Sequence, residues 1–285
     1  MITRSYLASF AVVYGFIVLA HALGWAYFRR YQITRPPVGV MNMGDVFFML
    51  GGVVLVPYLY LILPGWVIIG LLLTSIASLL YLLWEPVLRA HWAIWLVTLL
   101  MAAADGAAAL LFGTQSNLFL GVNNVIQVAA AVGVAVLWAQ SGMKARDAVI
   151  LGALLGVYDY IFTARLPLMK DLITRFTGLP YAPELAWSWG TTSTWLSIGL
   201  GDLLLAVVFP LVMRKAYGRR AGLTALVISF GALAVVMLAP YAGFFTDEVF
   251  PLMVVFGPLM ILQFVFWRWK CGAERTTWQY RQAEP

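Results

Sequence analysis

Nine apolar runs of about 20 residues divide this chain, the length an α-helix needs to cross a bilayer. The 285 residues are 63% hydrophobic and only 11% charged, too little charge for a soluble domain of this size. Backbone N–H and C=O groups cannot stay bare in lipid, so the runs are expected to be helices. Barrel strands would be shorter and would alternate polar with apolar residues. The fold class expected is therefore all-α, a polytopic helical membrane protein with nine transmembrane helices. The spans lie at roughly 5–28, 44–63, 66–84, 91–112, 118–139, 147–164, 192–213, 222–244 and 250–267.

Most connections are short. Leu63-Pro64-Gly65 alone joins the second and third spans as a tight turn. The exception is 165–191, where Leu166-Pro167-Leu168-Met169 and Leu172-Ile173-Thr174-Arg175-Phe176 are amphipathic. A loop of that length is usually functional or disordered, and its apolar content predicts a segment lying on the membrane surface. The chain reads as a single membrane domain, 1–285. Spans one to six occupy 1–164, the long loop 165–191, and spans seven to nine 192–285. The first span continues through Leu23-Gly24-Trp25-Ala26-Tyr27-Phe28, which favours a retained helix over a cleaved signal peptide.

Charge sets the expected orientation. Arg4, Arg165, Lys170 and Arg175 fall on the side of the N-terminus, and the other fourteen of the eighteen Lys and Arg residues fall on the opposite side. The excess of positive charge marks the cytoplasmic side, so the N-terminus is expected outside and the C-terminus in the cytoplasm. The net charge of +6 then speaks for anionic lipid and topology, with no basic stripe of the kind that binds nucleic acid. Compact loops fit a prokaryotic cytoplasmic membrane.

Inside this apolar frame, two aspartates need a reason. Asp159 ends Gly156-Val157-Tyr158-Asp159 in the sixth span, and Asp202 ends Gly199-Leu200-Gly201-Asp202 in the seventh. A carboxylate near the bilayer centre costs about 2.5–3.5 kcal/mol on insertion scales. Gly152, Gly156 and Asp159 fall on one helical face at i, i+4 and i+7, and Gly-x-x-x-Gly permits close helix approach. Gly199 and Asp202 share a face with Ala206 and Pro210, so the two aspartate-bearing faces are expected to meet, with both carboxyls in a similar layer. Two carboxyls held together in a low-dielectric site share a proton. One can then take a proton from water while the other polarises a carbonyl.

Tyr158-Asp159 and Gly199-Leu200-Gly201-Asp202 resemble the YD and GxGD motifs of the presenilin and signal peptide peptidase family, the intramembrane aspartyl proteases. That family has nine spans, with the two aspartates on the sixth and seventh and a long loop between, and the resemblance covers the whole chain. It implies a presenilin-like fold, catalytic roles for Asp159 and Asp202, and transmembrane helices as substrates. Tyr158, Gly199, Leu200 and Gly201 would shape the site. The family's third motif, Pro-Ala-Leu before the ninth span, departs here to Pro251-Leu252-Met253, with Pro258-Leu259-Met260 as a second candidate. The bland reading is that either proline simply starts or kinks a helix. The outward N-terminus is like signal peptide peptidase, whereas loop 165–191, with Pro167-Leu168 and Pro183-Glu184-Leu185, is presenilin-like in character. Prepilin peptidases share a GxGD aspartate but have fewer spans and place its partner elsewhere.

Other functions stay open on the residues alone. Asp105 and the polar fifth span (Asn123, Asn124, Gln127) read first as interhelical hydrogen bonding, and second as a water path or transport site. A proton-coupled transporter or channel, or a non-catalytic scaffold that binds transmembrane helices, are the alternatives. Asp45 reads as interfacial. His21, His91 and Cys271 stand alone, no HExxH is present, and Ser141-Gly142 lacks the glycine of a serine nucleophile motif. No metal, soluble cofactor or obligatory subunit is implied.

Overall fold

The computed structural model describes residues 4–33, 43–162, 166, 168–189, 195–240, 242, 244 and 251–283. Arg35, Arg165, Pro167 and Asp247 lie outside them. In chain order the elements are α1 (Arg4–Arg30), α2 (Met43–Ile62), α3 (Gly65–Leu88), α4 (His91–Phe112), α5 (Asn117–Gln140), α6 (Ala145–Phe162), α7 (Leu168–Phe176), β1 (Glu184–Trp187), β2 (Leu196–Gly199), α8 (Leu200–Tyr217), α9 (Arg219–Leu238), α10 (Leu252–Cys271) and α11 (Thr277–Ala283).

Seven helices are long and apolar enough to cross a membrane: α1 to α5, α9 and α10. The other two long helices, α6 and α8, each carry three charged residues in 18. In α6 these are Arg146, Asp147 and Asp159, and in α8 Asp202, Arg214 and Lys215.

Two helices form the centre. In α5 every residue from Ile126 to Val136 except Ala129 is buried, and in α8 every residue from Leu205 to Ala216. A helix apolar on all sides belongs inside a bundle. α5 packs against α1, α3, α4 and α8, and α8 packs against α1, α5, α6, α9 and α10. A methyl on Gly133 would come within 3.2 Å of the Leu79 carbonyl oxygen, so the glycine sets how closely α3 approaches α5. His21 ties α1 to α8: its Nδ1 lies 2.8 Å from the Ile17 carbonyl oxygen and its Nε2 3.1 Å from that of Ala206. Lys215 is buried and donates to the carbonyls of Ala139 and Met143, which fastens the end of α8 to the end of α5.

Apolar side chains cover the outside. Phe48, Leu110 and Leu111 are more than three-quarters exposed, as suits a lipid-facing surface. Trp66, Trp92 and Trp269 stand exposed at helix ends, where amphipathic rings meet headgroups. The Leu63-Pro64 turn forms as expected, with the Pro64 carbonyl accepting from the N–H groups of Val67 and Ile68.

The segment between α6 and α8 departs from the sequence expectation. It contains structure of two kinds. The amphipathic part forms α7, whose Leu168, Leu172 and Phe176 are buried, the last two in one cluster with Ile68, Leu72 and Ile76 of α3, and which packs against α2. Its apolar face thus packs on protein. The expected helix from 192 instead begins at Leu200. Residues 192–194 lie outside the described set, and Leu196–Gly199 is the strand β2, antiparallel to β1 with Leu185 opposite Ile198 and Ala186 opposite Ser197. A two-stranded sheet therefore interrupts the expected all-α fold. The signals were local: Leu196 and Ile198 alternate with Ser197, flanked by tryptophans and threonines.

Candidate active site

The site is assembled from the ends of three helices and the sheet. Asp159 lies in the last turn of α6 and Asp202 in the first turn of α8, so the carboxyls share one end of the bundle. α6 and α8 pack against each other, so the two aspartates stand on adjoining helices at that end. Both are partly accessible. The sequence reading placed Asp202 near the middle of a span, but the strand before it moves it to a helix N-terminus, where the backbone dipole suits an acid.

Asp159 sits at the opposite, less suitable end of its own helix. It finds its donor on α10. The backbone N–H of Met253 donates to Asp159 Oδ2 at 2.9 Å. Met253 is the second residue of α10, and the first N–H groups of a helix have no partner inside it. A carboxylate is the natural acceptor there. Pro251 immediately precedes the helix, a position where a missing N–H costs nothing. Of the two candidate prolines, it is therefore Pro251, in Pro251-Leu252-Met253, that reaches the aspartate, with Leu252 and Met253 buried. Pro258 lies inside α10, two turns away.

The glycines of α6 serve this contact. A methyl on Gly156 would lie 3.0 Å from the Met253 carbonyl oxygen, and one on Gly257 would lie 2.9 Å from the Gly152 carbonyl oxygen. A methyl on Gly152 would meet Met260 Sδ at 2.8 Å. The Gly152–Gly156 face was expected to meet the seventh span. It meets α10 instead, with Leu205 of α8 touching only its far edge, at 3.6 Å from the Gly152 position. Tyr158 is buried and packs on Phe162, ring centroids 4.7 Å apart, and Phe162 in turn meets Tyr58 of α2.

Around Asp202 the backbone is open. Gly199 and Gly201 are exposed, and a methyl on Gly201 would touch nothing within 4 Å. Asp202 Oδ2 lies 3.9 Å from where a Gly199 methyl would stand. The Leu200 N–H donates to the Pro183 carbonyl at 2.8 Å, so the start of α8 is tied to the start of β1.

The polar residues of α4 and α5 account for how β1 is held. Asn124 Nδ2 donates to the Ala186 carbonyl and Asn124 Oδ1 accepts from the Ala186 N–H, both at 2.9 Å. Asn123 donates to the carbonyls of Ala182 and Glu184, and Gln127 to that of Ala182. Asp105 Oδ2 accepts from the Tyr181 N–H at 2.8 Å, which holds Tyr181 in a left-handed conformation at φ 63°. These four were read first as bonds between helices. They bind the strand segment 181–186, because that segment brings backbone groups into an apolar bundle and each needs a partner.

The same bonds orient the sheet. Both polar groups of Ala186 turn toward Asn124, away from β2. Ser197, opposite Ala186, must then turn its own N–H and C=O to the outer edge of β2, since opposed antiparallel residues alternate together. Among the described residues β2 has a strand partner on its β1 side only. That edge leads directly into Gly199-Leu200-Gly201-Asp202.

Sequence reading missed Glu184, a buried carboxyl paired across the sheet with Gly199. Its neighbours in Pro183-Glu184-Leu185 gave no strand pattern by themselves. Among the described residues no group of three or more His, Cys, Asp or Glu side chains could hold a metal ion.

No family model matches this sequence, and comparison with the curated proteins finds no match.

Burial pushes the Glu184 carboxyl above its ordinary value of 4.5, while the hydrogen bond from Ser197 acts the other way. A raised carboxyl stabilises the fold while it is protonated. That stability is fully present below pH 4.5 and is lost as pH rises through the folded-state value. Glu184→Gln is therefore expected to raise the Tm at about pH 8, with the gain shrinking toward about pH 4.5. Thermal unfolding at the two pH values checks this, and an equal shift at both would contradict it.

Proposed function

We propose that this chain is an intramembrane aspartyl endopeptidase of the presenilin and signal peptide peptidase type, cutting transmembrane helices within the bilayer. All nine long helices cross the membrane in this reading, α6 and α8 included. These two each carry three charges, and one of the three in each helix is the aspartate itself. The observation that carries the proposal is that Asp159 and Asp202 stand at one end of the bundle on adjoining helices, beside an open glycine backbone and an edge of β2 that has no strand partner among the described residues.

The chemistry follows from the pair. One carboxylate accepts a proton from water, and the water oxygen attacks the scissile carbonyl carbon. The other carboxyl, protonated, donates to the carbonyl oxygen as it becomes negative. The C–N bond then breaks as the carboxyl that took the proton from water passes it to the nitrogen, which leaves as an amine. The Met253 N–H fixes the Asp159 carboxyl while its second oxygen stays available.

A helix buries its amides in its own hydrogen bonds, so the substrate must unwind before water can reach a carbonyl. The outer edge of β2 offers an extended segment the partners it would lose. Strand addition at such an edge is a general way to bind a peptide backbone. Added there, a substrate would run toward Gly201 and the two carboxyls. The rival reading as a transporter draws on Asp105, Asn123, Asn124 and Gln127, with Asp159 and Asp202 as proton-relay groups; the first four each bond the backbone of 181–186, which supports a structural role for them.

Asp159→Ala and Asp202→Ala are each expected to lower cleavage of a single-span substrate by at least about a thousandfold while the protein still inserts and folds. Substantial activity in either variant would end the two-aspartate account. Ser197→Pro removes the outward N–H and leaves the β1 ladder intact, since edge strands accept proline. Cleavage should fall about tenfold or more, while Ser197→Ala, which keeps the N–H, stays near wild type. Equal rates for the two would refute the edge as the docking strand. In this reading the C-terminus lies in the cytoplasm, which the excess of Lys and Arg on its side supports. A C-terminal fusion to an enzyme active only after export should be silent, and an active fusion would reverse the orientation.

A further inference from the structure

At the opposite end of the bundle from the aspartates lies a cavity of about 910 Å³, bounded by the ends of α1, α5 and α8 and by α9 and α11. Its size is near the top of the range for small-molecule sites. Arg29, Arg30, Arg214 and Arg219 line it together with Trp25 and Tyr31, and among the described residues its lining contains no Asp or Glu. Four guanidinium groups gather positive charge around one space, which favours an anion there. We propose that this cavity binds the phosphate headgroup of an anionic phospholipid.

Three observations favour a phosphate on a lipid. The first is the donor set. Guanidinium groups are planar forks that bond phosphate oxygens in pairs. Arg214 is buried and lies over the Trp25 ring, 4.5 Å from its centroid, so one fork is already held in place. The second is position. Arg29 and Arg30 end α1, a helix long and apolar enough to span a membrane, so the cavity opens at headgroup depth. Basic pockets between helices at that depth are sites for anionic headgroups. The third is a path for the acyl chain. Leu19, Leu23, Ala26 and Arg30 follow one face of α1 at i, i+4, i+7 and i+11. Leu19 and Leu23 are exposed on the bilayer side, and Ala26 and Arg30 line the cavity. An apolar lane thus runs from the lipid into the basic site, which a free phosphate would not use. The proposal is independent of the protease reading, since the cavity shares no residue with that site.

The test uses the full chain purified in detergent, with native mass spectrometry counting bound molecules during titration with phosphatidylglycerol or phosphatidylcholine, and with inorganic phosphate as a competitor. The exposed arginines are changed together in Arg29→Gln/Arg30→Gln/Arg219→Gln. Arg220→Gln/Arg268→Gln/Lys270→Gln removes the same charge from the same end without touching the cavity lining. Wild type should retain phosphatidylglycerol at about tenfold lower concentration than phosphatidylcholine. The cavity variant should lose that preference, the comparison variant should keep it, and inorganic phosphate should not compete. Arg219→Gln alone, a single exposed change, should show a partial loss if the triple variant unfolds. Equal retention of the two lipids would overturn the proposal, as would equal losses in both triple variants. Displacement of the lipid by inorganic phosphate at matched concentration would assign the cavity to a soluble anion instead.

Discussion

Asn124 satisfies both backbone groups of Ala186, and the strand that leads to the aspartates depends on that arrangement. A chain surrounded by apolar helices cannot leave N–H and C=O groups bare, which is why helices fill most of this fold. A strand in the same surroundings must borrow partners. β1 has β2 on one edge and the amides of α5 on the other, with Asn123 and Gln127 extending the seal toward Ala182. Asp105 holds the turn before it through the Tyr181 N–H. With β1 closed on both sides, the sheet edge left over among the described residues is that of β2, which runs on into Gly199-Leu200-Gly201-Asp202.

The second constraint is the placing of two acids. Asp202 begins a helix and Asp159 ends one, so their backbones treat them differently. The difference is made up by α10, whose Met253 N–H turns to Asp159. That bond requires α10 to approach α6 within the width of a glycine, and Gly156 and Gly257 supply the room from each side. The same approach brings Pro251-Leu252-Met253 to the site, so the aspartate, the glycine face and the proline motif are parts of one contact.

Much of this was legible in the sequence, and the rest was hidden for identifiable reasons. The apolar runs gave the long helices, because length and composition suffice when backbone bonding is local. The aspartates stood out because a charge in an apolar run is costly. The Gly152–Gly156 face was read correctly as a close-packing surface but assigned to the wrong neighbour, since periodicity gives a face and no partner. Pro251 ranks ahead of Pro258 by sequence, and the N–H of Met253 at the start of α10 gives the physical reason. β2 was taken for the start of a helix because Leu196 and Ile198 are as apolar as the span that follows. The amides of α5 were read as bonds between helices, since nothing in their own segment reveals a strand 60 residues away in the chain.

The central claim is hydrolysis of a peptide bond inside an apolar helix by water held between two aspartates. It is tested most directly by incubating the protein in lipid nanodiscs with a single-span substrate in oxygen-18 water and weighing the fragments. The account predicts a cut within the apolar stretch and one solvent oxygen in the new carboxyl terminus of the N-terminal fragment. Intact substrate throughout a series of single-span helices, or cuts confined to their water-exposed flanks, would contradict it.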